Sequence, residues 1–362
     1  MKLLVVGSGG REHAVIRKLK ENKEIEKIYC APGNGGISAD AECVDIKATD
    51  KENMVKFAKE NAIDFCVVTP DDPLALGMVD EMEEAGIPCF GPKANAAIIE
   101  ASKAFSKDLM KKYGIPTADY ETFDNEKDAL HYIEEKNTFP IVIKADGLAL
   151  GKGVLICETL DDAKTALREM MVEHVFGLSG NKVVVEEFMT GKEVSVLAFT
   201  DGNVVKPMIS SMDHKRAYDN DEGLNTGGMG TIAPSPYYTK EIAETCMETI
   251  FLPTVKAMNA EGRTFKGCLY FGLMLTPKGP RVVEYNCRFG DPETQVVLPR
   301  MKTDLVEMFE ACIDGKLAEK HLEFEDNAAV CVVLASDGYP VSYEKGYPIT
   351  GFEKFHADEG YY

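Results

Sequence analysis

The chain has 362 residues, of which 45% are hydrophobic and 28% charged, a globular profile with room for two or three domains. With 60 Asp and Glu against 40 Lys and Arg, the formal charge is −20, which argues against a general nucleic-acid surface and requires a local basic pocket for any anionic ligand. No apolar run reaches membrane-spanning length, and the opening Met1-Lys2-Leu3-Leu4-Val5-Val6-Gly7 is broken by glycine too soon for a signal peptide, so a cytoplasmic protein without a membrane partner is expected.

Residues 3–6, 27–30, 65–68 and 88–90 read as buried strands, and 12–21, 51–61 and 74–85 carry helical patterns between them. This alternation predicts an open parallel sheet of βαβ units. The first loop, Gly7-Ser8-Gly9-Gly10-Arg11-Glu12-His13, can bring backbone amides against an anion at a helix N-terminus. It is not a dinucleotide fingerprint, because Gly-x-Gly-x-x-Gly needs glycine where Glu12 stands. A phosphate-bearing small molecule and a purely structural turn both remain. Pro32-Gly33-Asn34-Gly35-Gly36 and Thr69-Pro70-Asp71-Asp72-Pro73 follow the next strands. Their shared rim is where such a sheet places its ligand crevice.

A helical piece over 94–113 is stopped by Gly114 and Pro116. Residues 140–144, 153–157 and 182–186 then read as strands, and 161–174 as a helix. Between the first two strands lies Lys144-Ala145-Asp146-Gly147-Leu148-Ala149-Leu150-Gly151-Lys152-Gly153. Its spacing misses a Walker A loop, and Gly153 replaces the Ser or Thr. A strand–loop–strand hairpin can instead close over a triphosphate as a lid, with Lys144 as a point charge for phosphate. Val183-Val184-Val185-Glu186-Glu187-Phe188 ends a buried strand in acids, and Glu193 follows. These acids can accept from an adenine amino group and ribose hydroxyls, although a solvated acidic turn has the same pattern.

From Glu193 onward strands dominate, at 193–199, 266–275 and 281–285, with helical stretches at 240–261 and 304–313 and a last strand at 328–335. Asp213-His214-Lys215-Arg216 and Asn225-Thr226-Gly227-Gly228-Met229-Gly230 lie in a long polar connection, and such loops inside a compact domain are usually functional or disordered. The most informative stretch is Val282-Val283-Glu284-Tyr285-Asn286-Cys287-Arg288-Phe289-Gly290-Asp291-Pro292-Glu293. Strand alternation puts Glu284 and Asn286 on one face, and both offer hard oxygen ligands suited to Mg²⁺ on nucleotide phosphates. Arg288 joins that face if the strand persists, supplying a planar cation for a carboxylate or phosphate. Metal ligands beside an anion clamp equip phosphoryl transfer. An edge strand with ordinary polar residues is the alternative. The 10 cysteines form no Cys-x-x-Cys pair and read as reduced core thiols, not zinc ligands or disulfides.

Taken in order, Gly9-Gly10-Arg11-Glu12-His13-Ala14, Pro32-Gly33-Asn34, Ser102-Lys103-Ala104-Phe105, Lys144-Ala145-Asp146-Gly147, Asp213-His214-Lys215-Arg216, the Asn225 to Gly230 run and Arg288-Phe289-Gly290-Asp291-Pro292-Glu293-Thr294-Gln295 are similar to the motifs of the ATP-grasp ligases. Within them the chain resembles the phosphoribosylamine–glycine ligase family, from Met1 to about Phe355. The resemblance implies an α/β and α+β multidomain protein. Residues 1–100 would form an N-terminal α/β substrate domain, 101–122 with 190–326 the core lobe of a two-lobed ATP-grasp fold, 123–189 its lid lobe, and 327–362 a C-terminal domain. It also implies ATP and Mg²⁺ (or Mn²⁺), with glycine and 5-phosphoribosylamine as substrates, in a carbon–nitrogen ligase of purine biosynthesis expected to be monomeric.

By the same resemblance, Lys103 and Lys144 contact ATP phosphates together with the loop residues Gly151, Lys152 and Gly153. Glu186, Glu187 and Glu193 lie about the adenosine, and Glu284 and Asn286 hold the metal. Arg288 orients the glycyl carboxylate and stabilises charge on its carbonyl oxygen. Asp213 and Lys215 line the amino-acid and ribose side, and Gly9, Gly10 and Asn34 face the phosphoribosyl group. Two departures stand out. Thr69-Pro70-Asp71-Asp72-Pro73 occupies a loop that in the family reads Gly-Pro-Glu-x-Pro. The family also continues beyond the position of Tyr362, so an incomplete last domain with an unpaired sheet edge and exposed apolar surface is expected. Another ATP-grasp ligase or a biotin-type carboxylase, a nucleotide-binding module without turnover, and an oxidoreductase are the competing readings.

Overall fold

A computed structural model describes residues 1–148, 153–356 and 359–362. The N-terminal sheet contains β1 (Lys2–Gly7), β2 (Lys27–Pro32), β3 (Glu42–Cys43), β4 (Phe65–Val68) and β5 (Cys89–Phe90), ordered β3-β2-β1-β4-β5 and parallel throughout. Leu3, Leu4, Val5 and Val6 are fully buried, as a strand covered on both faces requires. The helices α1 (Gly10–Leu19), α2 (Lys51–Glu60), α3 (Asp71–Ala75) and α4 (Met78–Glu84) supply the cover. The strand order reverses between β1 and β4, so the Gly7 and Thr69 loops open at a topological switch point.

Two expected helices are split. The pattern over 74–85 is broken at Gly77, whose φ of 85° ends α3 and starts α4. The pattern over 94–113 becomes α5 (Ala94–Ala101) and α6 (Lys103–Tyr113). Ser102 turns extended between them, and its hydroxyl accepts from the Phe105 amide at 3.1 Å, capping α6. Periodicity ran through both breaks because the apolar face is shared.

The second lobe is an antiparallel sheet ordered β6-β9-β7-β8, from β6 (Tyr120–Phe123), β7 (Ile141–Ala145), β8 (Val154–Cys157) and β9 (Val183–Glu187). It carries α7 (Glu126–Lys136) and α8 (Leu160–Leu167) on its own small core. The helix expected over 161–174 is regular only to Leu167 and widens into a π-turn over Arg168–Val172. The β7–β8 hairpin is formed, with Ala145 N–H donating to the Gly153 carbonyl at 2.8 Å. Gly151 and Lys152, which follow β7 in sequence, lie outside the described residues.

The central antiparallel sheet is ordered β11-β10-β16-β17 and begins with β10 (Lys192–Thr200) and β11 (Val205–Pro207). The long connection that follows is built of short strands, not loop: β12 (Met212–Asp213), β13 (Arg216–Tyr218), β14 (Glu222–Asn225) and β15 (Gly230–Ala233). Strands of two to four residues leave no readable periodicity. After α9 (Lys240–Cys246) and α10 (Leu252–Ala260), the sheet is completed by β16 (Gly267–Thr276) and β17 (Gly279–Asn286). The strand does not persist to Arg288; β17 ends at Asn286 and a bend delivers the arginine.

Helices α11 (Thr294–Val297) and α12 (Leu305–Asp314) lead to β18 (Ala329–Val332), which is shorter than the expected 328–335 and lies at the edge of a β12-β15-β18 sheet. Ala329 and Cys331 pack on the core, while Val330 and Val332 are exposed. No helix among the described residues is long and apolar enough to cross a membrane.

Four phenylalanines tie these layers together. Phe90 of β5 stacks on Phe309 of α12 with centroids 3.9 Å apart, and Phe199 of β10 meets Phe289 edge-on at 6.1 Å. All four are buried. Phe309→Ala should therefore cost about 3–5 kcal/mol through lost burial and a residual cavity, measured as a lower urea midpoint with an unchanged slope; a loss below about 1 kcal/mol would show that the cluster repacks freely.

Candidate active site

The site begins with an irregularity in β17. Gly272 pairs with Glu284 while Leu273 pairs with Val282, so Val283 is an extra residue in the ladder. Its carbonyl accepts from Lys144 Nζ at 3.2 Å. Beyond the bulge, Glu284 and Asn286 share a face. A Cβ at Gly272 would lie 3.1 Å from Glu284 Cγ, so glycine there gives the carboxylate room. Burial opposes charge on Glu284, but Lys215, Lys144, Lys103 and Arg288 outweigh it and hold the carboxyl below its usual range.

Glu100, at the end of α5, organises the residues beyond. Its Oε1 accepts from Asn286 Nδ2 at 2.9 Å and from an Arg288 guanidinium nitrogen at 2.8 Å, and its Oε2 accepts from the Cys287 amide at 2.7 Å. Asn286 Nδ2 also donates to the Tyr285 carbonyl at 3.0 Å. Both amide hydrogens are thus engaged, and Oδ1 is the free end. A carboxylate and an amide oxygen on one face fit a hard cation. Among the described residues no three His, Cys, Asp or Glu converge on one point, so phosphate oxygens would complete the shell, as is usual for Mg²⁺. Arg288 also donates to the Phe289 carbonyl at 3.1 Å, while its Nε is buried without a partner.

Across the cleft stands a lysine cluster. Lys103 opens α6, and its Nζ donates to the Gly147 carbonyl at 3.0 Å. Asp146 Oδ1 accepts from the Ala104 amide at 2.7 Å and from the Ser102 hydroxyl at 3.0 Å, which stitches the helix start to the hairpin. Glu186 Oε2 lies 3.0 Å from both Lys144 Nζ and Lys107 Nζ, and all three side chains are buried. Burial pulls the Lys107 ammonium down to about 8 and also lowers that of Lys103. Glu186 Oε1 is buried without a partner, an open acceptor that suits a nucleotide amino group. Glu187 alternates to the opposite face of β9 and pairs with Arg281 at 2.6 Å, so its carboxylate is not brought to the lysines.

On the third side, Lys215 Nζ lies 3.2 Å from Glu193 and 3.9 Å from Glu284. Burial opposes its charge, but those two acids keep it protonated. Asp213 sits opposite Thr231 in the β12–β15 pair, and Asp213 Oδ1 and Thr231 Oγ1 are both buried without partners. Burial, and then the neighbouring Glu293, push the Asp213 carboxyl up to about 8. Burial raises Glu293 too. Glu293 Oε1 accepts from the Ser195 hydroxyl at 3.1 Å, and Ser195 also bonds the Tyr270 hydroxyl at 2.9 Å. A water-sized cavity of about 10 Å³ lies among Glu193, Ser195, Lys215, Tyr270 and Glu284.

The N-terminal rim closes the fourth side. The Gly9 amide donates to Glu12 Oε2 at 2.5 Å, and Arg11 Nε lies 2.7 Å from Glu12 Oε1. Arg11 then reaches the Phe289 carbonyl at 3.2 Å. Burial opposes the Glu12 charge, but Arg11, the Thr69 hydroxyl and the Gly9 amide hold its carboxyl low. A Cβ at Gly9 would sit 3.2 Å from Asp291 Oδ2, and one at Gly10 would sit 2.8 Å from Gln295 Nε2. These glycines therefore permit close approach of α1 to the segment after Arg288. Asn34 links two loops, donating to the Ser8 carbonyl at 2.8 Å and accepting from the Ile37 amide at 2.9 Å. Asp71 faces the same corner, and its charge acts on both Arg288 and Glu100.

Lys103, Lys144, Glu186, Glu193, Asp213, Lys215, Glu284, Asn286 and Arg288 thus border one cleft, with Gly9, Gly10 and Asn34 at its rim and Gly153 at the base of the hairpin. Glu100, Lys107 and Glu293 were not singled out from sequence. Glu100 and Lys107 lie on helices with an otherwise ordinary amphipathic pattern. The one available signal for Lys107 was its place four residues after Lys103, on the same helix face.

Residues 1–100 match the family model described as the N domain of phosphoribosylglycinamide synthetase, and residues 101–294 match its ATP-grasp (A) domain. A phosphoribosylamine–glycine ligase of Caldanaerobacter subterraneus subsp. tengcongensis is 52% identical over 354 residues, which cover 98% of this chain and 85% of that protein. The crystal structure of phosphoribosylamine–glycine ligase from Thermotoga maritima superposes with a TM-score of 0.81 at 32% identity, over 96% of this chain and 83% of that one. At 21% identity, the biotin carboxylase domain of a Hydrogenobacter thermophilus 2-oxoglutarate carboxylase, solved with MgADP and bicarbonate, shares the fold with a TM-score of 0.70, over 91% of this chain and 73% of that one. With family models covering 1–294 and a relative half identical along nearly its whole length, the chain belongs to the phosphoribosylglycinamide synthetase, or phosphoribosylamine–glycine ligase, family of ATP-grasp ligases.

Proposed function

We propose that this chain joins glycine to 5-phosphoribosylamine at the expense of ATP, through glycyl phosphate, giving glycinamide ribonucleotide, ADP and phosphate in purine biosynthesis. The observation that carries this reading is the single cleft in which Glu284 and Asn286 Oδ1 face the lysines across from Arg288. A glycine carboxylate attacking a γ-phosphate brings two anions together, so the site must supply positive charge that is already in place. Lys103 and Lys144 serve the ATP phosphates. Glu186 and Glu193 lie along the adenosine, whereas the Glu187 side chain, turned to Arg281, would leave only its backbone on that side. Glu284 and Asn286 would hold Mg²⁺, with Mn²⁺ as a substitute, and the ion would supply charge neutralisation to the phosphates.

Arg288, held by Glu100 with its Nε unpartnered, orients the glycine carboxylate and stabilises the oxyanion formed when the amine attacks. Asp213 and Lys215 line the amino-acid and ribose side. Gly9, Gly10 and Asn34 border the phosphoribosyl group. The hairpin that contains Gly151, Lys152 and Gly153 closes over the triphosphate and keeps glycyl phosphate from water. The chain works as an N-terminal unit (1–100), a core lobe (101–122 and 190–326), a lid lobe (123–189) and a C-terminal segment (327–362), as a cytoplasmic monomer. The decisive assay is ADP release with glycine and phosphoribosylamine omitted in turn. Release that ignores both would exclude the reading.

Three outcomes follow from the geometry. Glu284→Gln keeps the shape but loses the anionic ligand, so turnover at ordinary Mg²⁺ should collapse and recover only in part at high Mg²⁺; wild-type metal dependence would move the ion elsewhere. Arg288→Lys keeps charge and loses the fork, and kcat should fall on the order of 10²-fold; a rise in KM for ATP alone would separate Arg288 from the reacting carbonyl.

The third outcome concerns pH. Asp213 is raised to about 8 in the folded chain, so between the ordinary carboxylate range and that value the native state holds a proton that the unfolded state has released. Its contribution is complete at low pH and is lost as pH rises through the folded value. Wild-type melting temperature should therefore fall between about pH 5 and 8 more steeply than that of Asp213→Asn, which mimics the protonated form; parallel profiles would show that Asp213 is already ionised.

A further inference from the structure

Glu186 carries one negative charge, yet two buried ammonium groups, Lys107 and Lys144, lie 3.0 Å from the same carboxylate oxygen. The two lysines are held differently. Lys107 Nζ also donates to Thr117 Oγ1 at 2.8 Å, and the Thr117 hydroxyl gives its own proton to the Val282 carbonyl at 2.7 Å. The threonine lone pairs are thereby turned toward Lys107, and the ammonium is anchored from two sides, deep on the inner face of α6. Lys144 has for its second partner the bulge carbonyl of Val283, next to Glu284 at the metal side of the cleft. A lysine bonded to a bulge carbonyl can exchange that carbonyl for a phosphate oxygen at little cost.

When Lys144 makes that exchange it weakens its bond to Glu186. A buried carboxylate stripped of its only cation is strongly unfavourable. Here a second cation is already in place. We propose that Lys107 is a positioning residue for nucleotide binding: it remains the counter-ion of Glu186 when Lys144 turns to the nucleotide phosphates, and so holds the unpartnered Oε1 of Glu186 in place as an acceptor for an amino group on the base. The inference rests on the reading above that Lys144 serves the ATP phosphates. It accounts for a buried lysine that touches neither metal ligand nor Arg288, for the surplus of cation over carboxylate in this corner, and for the orphaned Oε1. An acceptor-only carboxylate selects a base with an amino group at the purine 6-position over one with a carbonyl there.

The test uses the full chain and steady-state turnover with ATP and with ITP, alongside thermal melts. Lys144→Met should raise KM for ATP, which checks the underlying reading separately. Lys107→Gln can still donate to Thr117 and Glu186 but lacks the charge. It should raise KM for ATP on the order of 10-fold or more, change kcat less than about 3-fold at saturating ATP, and narrow the preference for ATP over ITP. Lys107→Arg should restore most of the loss. The sharpest comparison is Lys107→Gln combined with Glu186→Gln: once the carboxylate is gone the counter-ion has nothing to hold, so the double variant should bind ATP no worse than Glu186→Gln alone. If Lys107→Gln fails to fold, this double variant, with two neutral amides facing one another, carries the same comparison. An unchanged KM in Lys107→Gln, with Lys144→Met impaired, overturns the inference and leaves the phosphate role of Lys144 standing. Additive losses in the double variant overturn it too, by reducing Lys107 to packing. An unimpaired Lys144→Met removes the underlying reading and the inference with it.

Discussion

The active cleft depends on one buried carboxylate. Glu100 receives the side-chain amide of Asn286, the backbone amide of Cys287 and the guanidinium of Arg288. Those three donors belong to consecutive residues: Asn286 is the last of β17, paired with Tyr270, and Cys287 and Arg288 lie beyond the strand, where no ladder partner fixes the chain. A single anion thus sets the rotamer of one candidate metal ligand, the path of the backbone and the direction of the arginine. Phe289, inserted among Phe90, Phe199 and Phe309, holds the next residue from the other side. The carboxylate and the aromatic plug together make a non-regular segment rigid enough to orient reacting groups.

The second constraint is charge. A chain of formal charge −20 must gather several cations in one cleft without leaving any of them buried alone. Each cationic side chain of the cleft has a stated partner: Lys103 the Gly147 carbonyl, Lys107 and Lys144 the Glu186 carboxylate, Lys215 the acids Glu193 and Glu284, and Arg288 the acid Glu100. These acids do not cancel the pocket's function. They meet the desolvation cost of the lysines and at several points leave one oxygen or nitrogen unpartnered, at Glu186 Oε1, Asp213 Oδ1 and Arg288 Nε. On the proposed reading, a ligand would complete the network at these atoms.

The N-terminal sheet contributes by contact as much as by its own loops. Gly9 and Gly10 bring α1 against Asp291 and Gln295, and Arg11 donates to the Phe289 carbonyl. The rim of the switch point and the segment after Arg288 therefore form one continuous surface. On the proposed reading, with the amino acid activated in one lobe and the amine held at the other sheet, that continuity would let the acyl phosphate meet the amine without crossing water.

Much of this was legible in the sequence. The buried apolar runs in β1, β4, β10 and β16 announced themselves, since a strand covered on both faces has little room for polar residues. The side-chain alternation of Glu284 and Asn286 needed only the period of a strand, which survives the bulge at Val283. Other features had no local signal. The breaks at Gly77 and Ser102 hid inside continuous apolar periodicity, and the short strands from Met212 to Ala233 are defined by their pairing, β13 with the adjacent β14 and β15 with β12 and the distant β18. Glu100 lies 186 residues from Asn286 and Lys107 lies 79 from Glu186. Local pattern reports which face of an element is apolar. Which polar group on one element meets which on another is decided by packing in three dimensions, and there the unpaired buried charges were matched.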